Sequence, residues 1–408
     1  MNLPAANASL RIFSLGLKFG FMFVLGKWFE LNELGTYGLV ASFVAIAIPL
    51  LGFRFDYIIS REIINLTEPK VAIRIRDQVL VYGFTYVLMI VACLYFWQSS
   101  FGKNRSSIIT YAVILAILES LATLGMTNLI SLNRPIVANI LFFIRSSAWI
   151  PFFLVFICVF PSEKKIETIL SFWIIAIVLS IIINLCLFRK MLCKSIFTIP
   201  FDVNSFVSCF KKCLPIWISS ISVAAVANLD RFFVEIYLGR DLVGIASFYS
   251  SIVVSLPAIL NSSVLFFIYP SMVSAYNNGN NEQFLRLYRK MFKKTFSLTT
   301  ILSLGLIGFV PLIAVALGKY EFTKYLNVLW LIIFASWMRC TSEPYYYFLY
   351  AKRMDHQIWL SNLIVLLISF ISNYYFVSFL GLIGIGLSGV LSSFSLFLIR
   401  RYCVFKTL

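Results

Sequence analysis

Long apolar stretches recur along this chain from residue 9 to residue 402, and they constrain its fold more than any other feature of the sequence. Each stretch is about 20 residues long, the length that an α-helix needs to cross the hydrocarbon core of a bilayer. Because that core holds no water to satisfy backbone hydrogen bonds, the stretches must form helices packed in a bundle. The sequence therefore predicts an all-α integral membrane protein.

The apolar stretches predict twelve transmembrane helices. Their residue ranges are 9–30, 35–58, 78–98, 107–130, 136–160, 167–188, 213–238, 242–270, 295–317, 324–350, 356–378 and 380–400, with tight turns at Gly239 and Gly381. Only 12% of the residues are charged, about half the fraction found in soluble domains. The eight cysteines contain no CxxC pair and no zinc-site spacing, so we expect no bound metal or organic cofactor.

Positive charges are distributed unevenly between the two sides of the predicted bundle. Of the 34 lysines and arginines, 21 lie on the side that holds both termini, 8 lie on the opposite side and five lie inside spans. Since basic loops remain in the cytoplasm, both termini are predicted to be cytoplasmic. Residues 284–294 also predict a basic amphipathic helix lying on the cytoplasmic leaflet. The net charge of +17 therefore indicates contact with anionic lipids and gives no reason to expect nucleic-acid binding.

The two halves of the chain resemble each other at an offset of 209 residues. Leu34-Gly35-Thr36-Tyr37-Gly38 aligns with Val243-Gly244-Ile245-Ala246-Ser247; chance similarity between apolar segments is the alternative explanation. Six spans per half would give both halves the same orientation, as in transporters built from parallel repeats. We therefore predict an N-terminal six-helix lobe over residues 1–190, a cytoplasmic linker over 191–212 and a C-terminal six-helix lobe over 213–408.

Five basic residues lie inside predicted spans, where a charge costs at least about 2.5 kcal/mol. They are Lys18, Arg54, Arg145, Arg231 and Arg339. Lys18 and Arg145 lie near the middle of their spans and have no acidic residue three or four positions away, whereas Arg54 lies about one turn from a span end. Because basic side chains bind phosphate well, we expect these five to line a cavity between the lobes and to hold the anionic part of a substrate.

Two of these arginines have an acidic residue on the same helix face. Glu235 follows Arg231 by four residues, and Glu343 follows Arg339 by four residues. Residues at this spacing meet on a helix surface. Each arginine–glutamate pair is therefore predicted either as a local ion pair that lowers the free-energy cost of membrane insertion or as a substrate contact.

Two further carboxylates lack a local partner of this kind. Glu119 lies in the middle of the fourth predicted span, and Asp230 points away from the neighbouring Arg231. A buried carboxylate without a partner can exchange a proton or an ion with the two sides of the membrane. We therefore predict Glu119 and Asp230 as ion-coupling residues or as charge partners of basic groups on other helices, with Arg145 or Lys18 as the partner of Glu119.

The region that joins the seventh and eighth spans resembles the polysaccharide-transporter family. The resemblance rests on Asn228-Leu229-Asp230-Arg231, Tyr237-Leu238-Gly239, Leu242-Val243-Gly244, Pro257 and Phe267-Ile268-Tyr269-Pro270-Ser271, together with Leu34-Gly35-Thr36-Tyr37-Gly38 in the first half. This family contains the O-antigen (Wzx-type) flippases and belongs to the MOP exporter superfamily, with the MATE drug exporters and the lipid II flippases. One position departs from the family pattern, because Ala246 stands where a tyrosine is frequent.

The resemblance implies two six-helix lobes around a central cavity that opens alternately to each side of the membrane. It implies a lipopolysaccharide-type substrate, an undecaprenyl-pyrophosphate-linked oligosaccharide, flipped from the cytoplasmic to the periplasmic leaflet of a bacterial inner membrane. It also implies proton or sodium coupling, and polysaccharide polymerase and chain-length proteins as partners.

Three other functions are consistent with parts of the sequence. A MATE-like exporter of small molecules has the same span count, although exporters of organic cations use carboxylates where this chain has basic residues. A lipid II flippase usually has two more spans than are predicted here. A membrane-embedded polysaccharide polymerase or acyltransferase would need a reactive group near a large external loop, but the predicted external loops are short and the one histidine, His356, lies at a cytoplasmic helix end.

Overall fold

The computed structural model describes residues 3–63, 68–98, 106–132, 134–192 and 203–407, and within these ranges the chain is helical apart from short turns, with no β-strand. The predicted all-α class is therefore confirmed. Long runs of apolar residues adopt this structure because a helix satisfies its backbone hydrogen bonds internally, which a membrane requires.

The helices of the first half follow the predicted spans closely. They are α1 (Leu3–Trp28), α2 (Leu31–Leu50), α3 (Phe55–Ile63), α4 (Glu68–Gln98), α5 (Ser106–Ser131), α6 (Pro135–Phe143), α7 (Trp149–Val159) and α8 (Ile166–Leu192). A 3-10 turn at Leu51–Arg54 separates α2 from α3. A π-helical turn at Ile144–Ala148 joins α6 to α7. Two predicted spans are therefore interrupted, and each interruption contains one of the predicted basic residues.

The second half contains a similar succession of long and interrupted helices. They are α9 (Val203–Asn228), α10 (Asp230–Leu238), α11 (Arg240–Val253), α12 (Ser255–Leu260), α13 (Phe266–Asn277), α14 (Asn281–Leu317), α15 (Tyr320–Lys324), α16 (Leu326–Ala351), α17 (Asp355–Leu380) and α18 (Ile383–Phe405). The predicted turns at Gly239 and Gly381 are confirmed, with φ values of 89° and 63° that glycine adopts without strain.

Ten helical segments within the described residues are long and apolar enough to cross a membrane. The two remaining predicted spans, 9–30 and 324–350, coincide with α1 and α16, which contain 26 residues each. A helix of that length is about 39 Å long and exceeds the hydrocarbon thickness of about 30 Å. Within these lengths, α1 carries Arg11, Lys18 and Lys27, and α16 carries Arg339, Glu343 and several tyrosines.

The basic segment over residues 284–294 differs from the prediction of a separate surface helix. It forms the first turns of α14, a continuous helix of 37 residues whose N-terminus is capped by Asn280, since its side chain accepts a hydrogen bond from the Gln283 amide at 2.9 Å. A helix of 37 residues is about 55 Å long and therefore extends well beyond the hydrocarbon core. In the predicted linker 191–212, residues 193–202 lie outside the described part, and α9 begins at Val203.

The chain forms two compact units. Unit 1 comprises Met1–Phe21 and Val40–Ile221, and unit 2 comprises Met22–Leu39 and Ser222–Leu408. Because α1 and α2 contribute residues to both units, the units do not follow the chain order of the predicted lobes. In unit 1, α3, α4 and α5 pack around a buried cluster that includes Phe55.

In unit 2, the first half of α2 packs closely on α11 through glycines. A Cβ atom at Gly35 would lie 2.1 Å from the Arg240 carbonyl oxygen, and a Cβ atom at Gly38 would lie 1.9 Å from the Ser247 hydroxyl oxygen. Only residues without a side chain permit this approach. The two segments are the ones that the predicted offset of 209 residues relates.

Candidate functional site

A buried ion pair in unit 1 joins α5 to the π-helical turn after α6. Arg145, in that turn, donates from Nη1 to Glu119 Oε2 at 2.6 Å, to the Glu119 carbonyl oxygen at 3.2 Å and to Thr123 Oγ1 at 3.0 Å. The exposed fractions of Arg145 and Glu119 are 5% and 9%. π-Helical turns are rare and occur frequently at functional sites, and this one carries the arginine that crosses to α5.

The second oxygen of the same carboxylate also has a partner. Trp173, in α8, donates its indole N–H to Glu119 Oε1 at 3.0 Å. Both oxygens of Glu119 are therefore engaged by groups from other helices. Glu119 therefore has the geometry of a charge partner for Arg145. The sequence analysis gave this role as the alternative to ion coupling.

Lys18 lies beside this pair. Its ammonium is 5.7 Å from the centre of the Phe142 ring, and the Arg145 guanidinium is 5.6 Å from the same ring. Glu119 contributes negative potential at Lys18, and Arg145 contributes positive potential. The Lys18 side chain is exposed. In the described part of unit 1, one carboxylate thus faces two cationic groups.

Arg54 lies at the break between α2 and α3. Gly52, Phe53 and Arg54 all have positive φ values, 74°, 51° and 57°, a conformation that side chains disfavour. Gly52 is required there, because a Cβ atom would lie 2.1 Å from the Tyr82 ring. The carbonyl oxygen of Leu50, released by the break, accepts a hydrogen bond from the Trp217 indole at 3.2 Å.

The break also gives Arg54 an acidic partner. Arg54 Nη2 is 3.7 Å from Asp56 Oδ2, and Asp56 Oδ1 accepts a hydrogen bond from the Tyr82 hydroxyl at 3.1 Å. In a continuous helix, residues two positions apart point in different directions and could not meet. The sequence prediction treated this span as one helix and therefore missed the pair.

In unit 2, Asp230 and Arg231 begin α10. Arg231 Nη1 donates to Asn228 Oδ1 at 2.7 Å, whereas Glu235 Oε1 accepts from Arg240 Nη2 at 2.9 Å. The predicted partner Glu235 therefore binds an arginine of the next helix. Asp230 Oδ1 is buried and forms no hydrogen bond with any described residue. It remains the candidate coupling carboxylate of this unit.

A second buried network in unit 2 centres on Arg400 of α18, which is 4% exposed. Its guanidinium donates to Glu343 Oε1 and Ser342 Oγ, both at 3.2 Å, and to Asn362 Oδ1 at 3.3 Å. The predicted residue Arg339 lies near the same carboxylate, with Glu343 as its main source of negative potential and Arg400 as a source of positive potential. One carboxylate again faces two cationic groups.

The sequence prediction missed Arg400 and Arg240. Arg400 was placed at a cytoplasmic helix end and Arg240 in a turn, because each follows an apolar run directly. A signal for Arg400 was present: positions 388, 392, 396, 400 and 404 recur every four residues, and all five are buried on one face of α18. The prediction that all five basic residues of the spans line one common cavity stays a prediction.

The sequence matches no protein-family model and no curated protein sequence. Its structure, however, is similar over almost its whole length to solved transporters. A MATE family multidrug resistance transporter of the MOP superfamily, in an inward-facing conformation, matches with a TM-score of 0.70 and 16% identity, covering 97% of this chain and 98% of that one. The chain has the fold of these membrane transporters, and the predicted resemblance to the MOP superfamily is confirmed for the fold.

Two other neighbours extend the comparison. The lipid II flippase MurJ, in an inward closed conformation, matches with a TM-score of 0.77 and 15% identity over 98% of this chain and 87% of that one. A MOP superfamily transporter from Pyrococcus furiosus matches with a TM-score of 0.52 and 14% identity over 98% and 93% of the two chains. For that protein, reverse polarity of the binding pocket suggests a different function.

Proposed function

We propose that this protein is a flippase for a lipid-pyrophosphate-linked oligosaccharide, such as an O-antigen repeat unit. It moves this substrate from the cytoplasmic to the periplasmic leaflet of a bacterial inner membrane by alternating access, with both termini in the cytoplasm. A polysaccharide polymerase and chain-length proteins then use the flipped unit. The observation that carries the proposal is the excess of cationic groups over carboxylates at Glu119 and at Glu343.

The physical argument starts from the cost of an intramembrane charge. Glu119 pairs with Arg145 at 2.6 Å, so a protonated Lys18 adds a positive charge that this carboxylate does not balance. Such a charge is costly in a helix bundle unless an anion or water compensates it. A phosphate group is a suitable anion, because guanidinium and ammonium groups form strong charge-assisted hydrogen bonds with it. The accessible Lys18 is the group that a passing pyrophosphate would meet first.

The structural neighbours support a lipid-linked substrate and also define the second candidate. MurJ flips lipid II, and its fold is similar to this chain over nearly all of the described residues. The equally extensive similarity to a MATE multidrug transporter favours export of small molecules as the alternative. The basic character of the clusters favours an anionic passenger over an organic cation, and the Pyrococcus furiosus neighbour is a precedent for a change of pocket polarity within this fold.

Alternating access requires helix contacts that open and close, and the glycine contact between α2 and α11 is our candidate. Lys319 donates to the Phe29 carbonyl oxygen close to the start of α2, and Arg240 Nη1 donates to Thr36 Oγ1 at 3.4 Å. Both contacts lie near helix ends, and an individual polar contact of this kind separates at a small free-energy cost. We propose that this contact exists in one transport state and is broken in the other.

Ion coupling is assigned to Asp230 in this proposal, and Glu119 acts as the charge partner of Arg145. Asp230 has a buried oxygen that no described residue satisfies, whereas both oxygens of Glu119 are engaged. A proton or a sodium ion bound to Asp230 would neutralise its charge. The Asp230→Asn variant should therefore transport at a rate independent of imposed proton and sodium gradients.

The test of the proposed function is a reconstituted flipping assay. The full-length protein is placed in liposomes with a fluorescent undecaprenyl-pyrophosphate oligosaccharide, and a membrane-impermeant quencher measures how much substrate changes leaflet. Flipping should depend on the protein and be lost in Arg145→Ala and Lys18→Ala, but it should persist in the control Lys164→Ala/Lys165→Ala, whose residues are exposed in a turn. Export of organic cations without any flipping would instead establish the MATE-like alternative.

A deletion strain provides the cellular test. Lipid-linked repeat units should accumulate on the inner leaflet, and surface polysaccharide should disappear until the wild-type gene is restored. Normal surface polysaccharide in the deletion strain, with no second flippase present, would refute the proposal.

A further inference from the structure

A basic groove of about 970 Å³ lies in unit 2, and none of its lining residues belongs to the networks around Glu119 and Glu343. One wall is the first part of α14, the other is the last part of α18, and Tyr345 of α16 lies between them. Six basic side chains line the groove, and its lining contains no acidic residue. They are Arg286, Arg289, Lys290, Lys293, Lys294 and Arg401.

The six charges are not neutralised within the described part of the chain. All six side chains are exposed, and none forms an ion pair or a hydrogen bond with another described residue. The Arg401 guanidinium lies 5.4 Å from the centre of the Phe405 ring. The groove is therefore a concentrated and accessible positive surface.

The arrangement of these charges is unfavourable without an anion. On α14, Arg286 and Lys290, Arg289 and Lys293, and Lys290 and Lys294 are each four residues apart. Like charges at this spacing repel each other and destabilise a helix. A bound anion that lies across the row would remove this repulsion and gain several charge-assisted hydrogen bonds.

The groove also has an apolar floor. Tyr345 contacts Phe292, Tyr288 and Phe397, with ring centres 5.6, 6.4 and 5.4 Å apart. Aromatic side chains beside basic ones are typical of the membrane interface, where a headgroup meets acyl chains. A free phosphate ion would use the charges but not the floor, so the combination fits an amphiphile.

We infer that this groove binds an anionic phospholipid such as phosphatidylglycerol. The basic residues of α14 and Arg401 hold its phosphate, and an acyl chain lies along Phe292, Tyr345 and Phe397. The length of α14 supports this position, because a 37-residue helix extends its first turns into the headgroup region. The inference does not depend on the proposed function, since the groove shares no residue with the clusters around Glu119 and Glu343.

The experiment measures lipid binding to the full-length protein in a neutral detergent by native mass spectrometry. Phosphatidylglycerol should be retained and phosphatidylcholine should not. In the variant Arg289→Gln/Lys290→Gln/Lys293→Gln/Lys294→Gln, the affinity for phosphatidylglycerol should fall about a hundredfold, because each basic residue contributes to attraction of an anionic lipid. The matched control removes four exposed lysines elsewhere, Lys164→Gln/Lys165→Gln/Lys211→Gln/Lys212→Gln, and should bind as the wild type does.

Three outcomes would overturn the inference. The first is equal retention of the two lipids, and the second is an equal loss of phosphatidylglycerol binding in the groove variant and in the control. The third is complete displacement of phosphatidylglycerol by inorganic phosphate at the same concentration, which would assign the groove to a free anion. If the groove variant does not fold, the charge-preserving variant Lys290→Arg/Lys293→Arg/Lys294→Arg and a salt titration of the wild type replace it. Binding should persist in that variant and weaken steeply with salt, and binding that does not change with salt would refute the inference.

Discussion

Gly244 of α11 lies directly against Gly35 of α2. A Cβ atom at position 244 would come within 3.2 Å of the Gly35 nitrogen and within 2.4 Å of the Leu31 carbonyl oxygen. The two glycines lie 209 residues apart, the offset of the predicted internal repeat. Each partner of this helix contact therefore supplies a residue without a side chain.

This contact predicts that Gly244→Ala is destabilising. The added methyl group meets backbone atoms of α2, which cannot move aside as a side chain could, so the two helices must separate. Overpacking of this kind costs about 1–3 kcal/mol. The apparent melting temperature of the detergent-purified protein should fall accordingly.

The matched control for this variant is Gly305→Ala in α14, where a Cβ atom would meet nothing within 4 Å. Alanine favours a helix by about 1 kcal/mol over glycine, so the control should be neutral or slightly stabilising. Equal melting temperatures for the two variants would contradict the close contact.

A second prediction concerns the role of the α2–α11 contact in transport. In Thr36→Cys/Arg240→Cys, the introduced thiols stand on α2 and α11 at two positions whose side chains meet in the wild type, with Arg240 Nη1 3.4 Å from Thr36 Oγ1. Joining the two thiols with a short bifunctional reagent that a reductant cleaves should stop flipping, and reduction should restore it. Mass spectrometry of the joined peptides detects the cross-link, and undiminished flipping by the fully cross-linked protein would show that the contact need not open.

The Glu119–Arg145 pair predicts a non-additive effect on stability. Glu119→Gln leaves a buried guanidinium without its partner, and loss of one member of a buried pair costs about 3–5 kcal/mol. The double variant Glu119→Gln/Arg145→Gln removes both charges and should recover most of the lost stability. Thermal unfolding of the two single variants and the double variant measures this coupling.

The same double variant separates stability from function. It should fold but remain inactive in the flipping assay, because the cationic group proposed to hold the substrate is absent. Normal flipping by a stable double variant would mean that the pair serves only the fold.

Arg400 and Arg401 provide a neighbouring pair with opposite environments. Arg400 is 4% exposed and bonded to Glu343, whereas Arg401 is exposed. Arg400→Gln should therefore destabilise the protein by about 1–3 kcal/mol, since Glu343, Ser342 and Asn362 would lose the buried donor that they share. Arg401→Gln should change stability by no more than about 0.5 kcal/mol. A similar melting temperature for both variants would be inconsistent with the network around Arg400.

The break between α2 and α3 predicts a strong requirement for Gly52. Alanine at this position would face the Tyr82 ring at 2.1 Å and would have to keep a φ of 74°. Strain and overpacking together should cost about 2 kcal/mol or more. Gly83→Ala, in α4 with nothing within 4 Å of the added atom, is the control. Expression level and melting temperature should fall for the first variant alone.

Much of the fold could be predicted because the relevant information is local. A run of about 20 apolar residues determines a spanning helix by itself, and glycines such as Gly239 and Gly381 mark turns through their own backbone freedom. The intramembrane positions of Lys18, Glu119 and Arg145 also followed from the sequence, since a charge within an apolar run is visible without any neighbour.

What the sequence alone determined is thus the helical membrane fold and which charges lie within it. Only the tertiary structure decided how those charges pair. Glu119 meets Arg145, Glu235 meets Arg240 and Glu343 meets Arg400, and the partners of Glu119 and Glu343 are 26 and 57 residues away. Helical periodicity describes neighbours three and four positions apart, and it assumes that the helix continues. Contacts across helices, and the break that brings Arg54 to Asp56, depend on packing that no local pattern encodes.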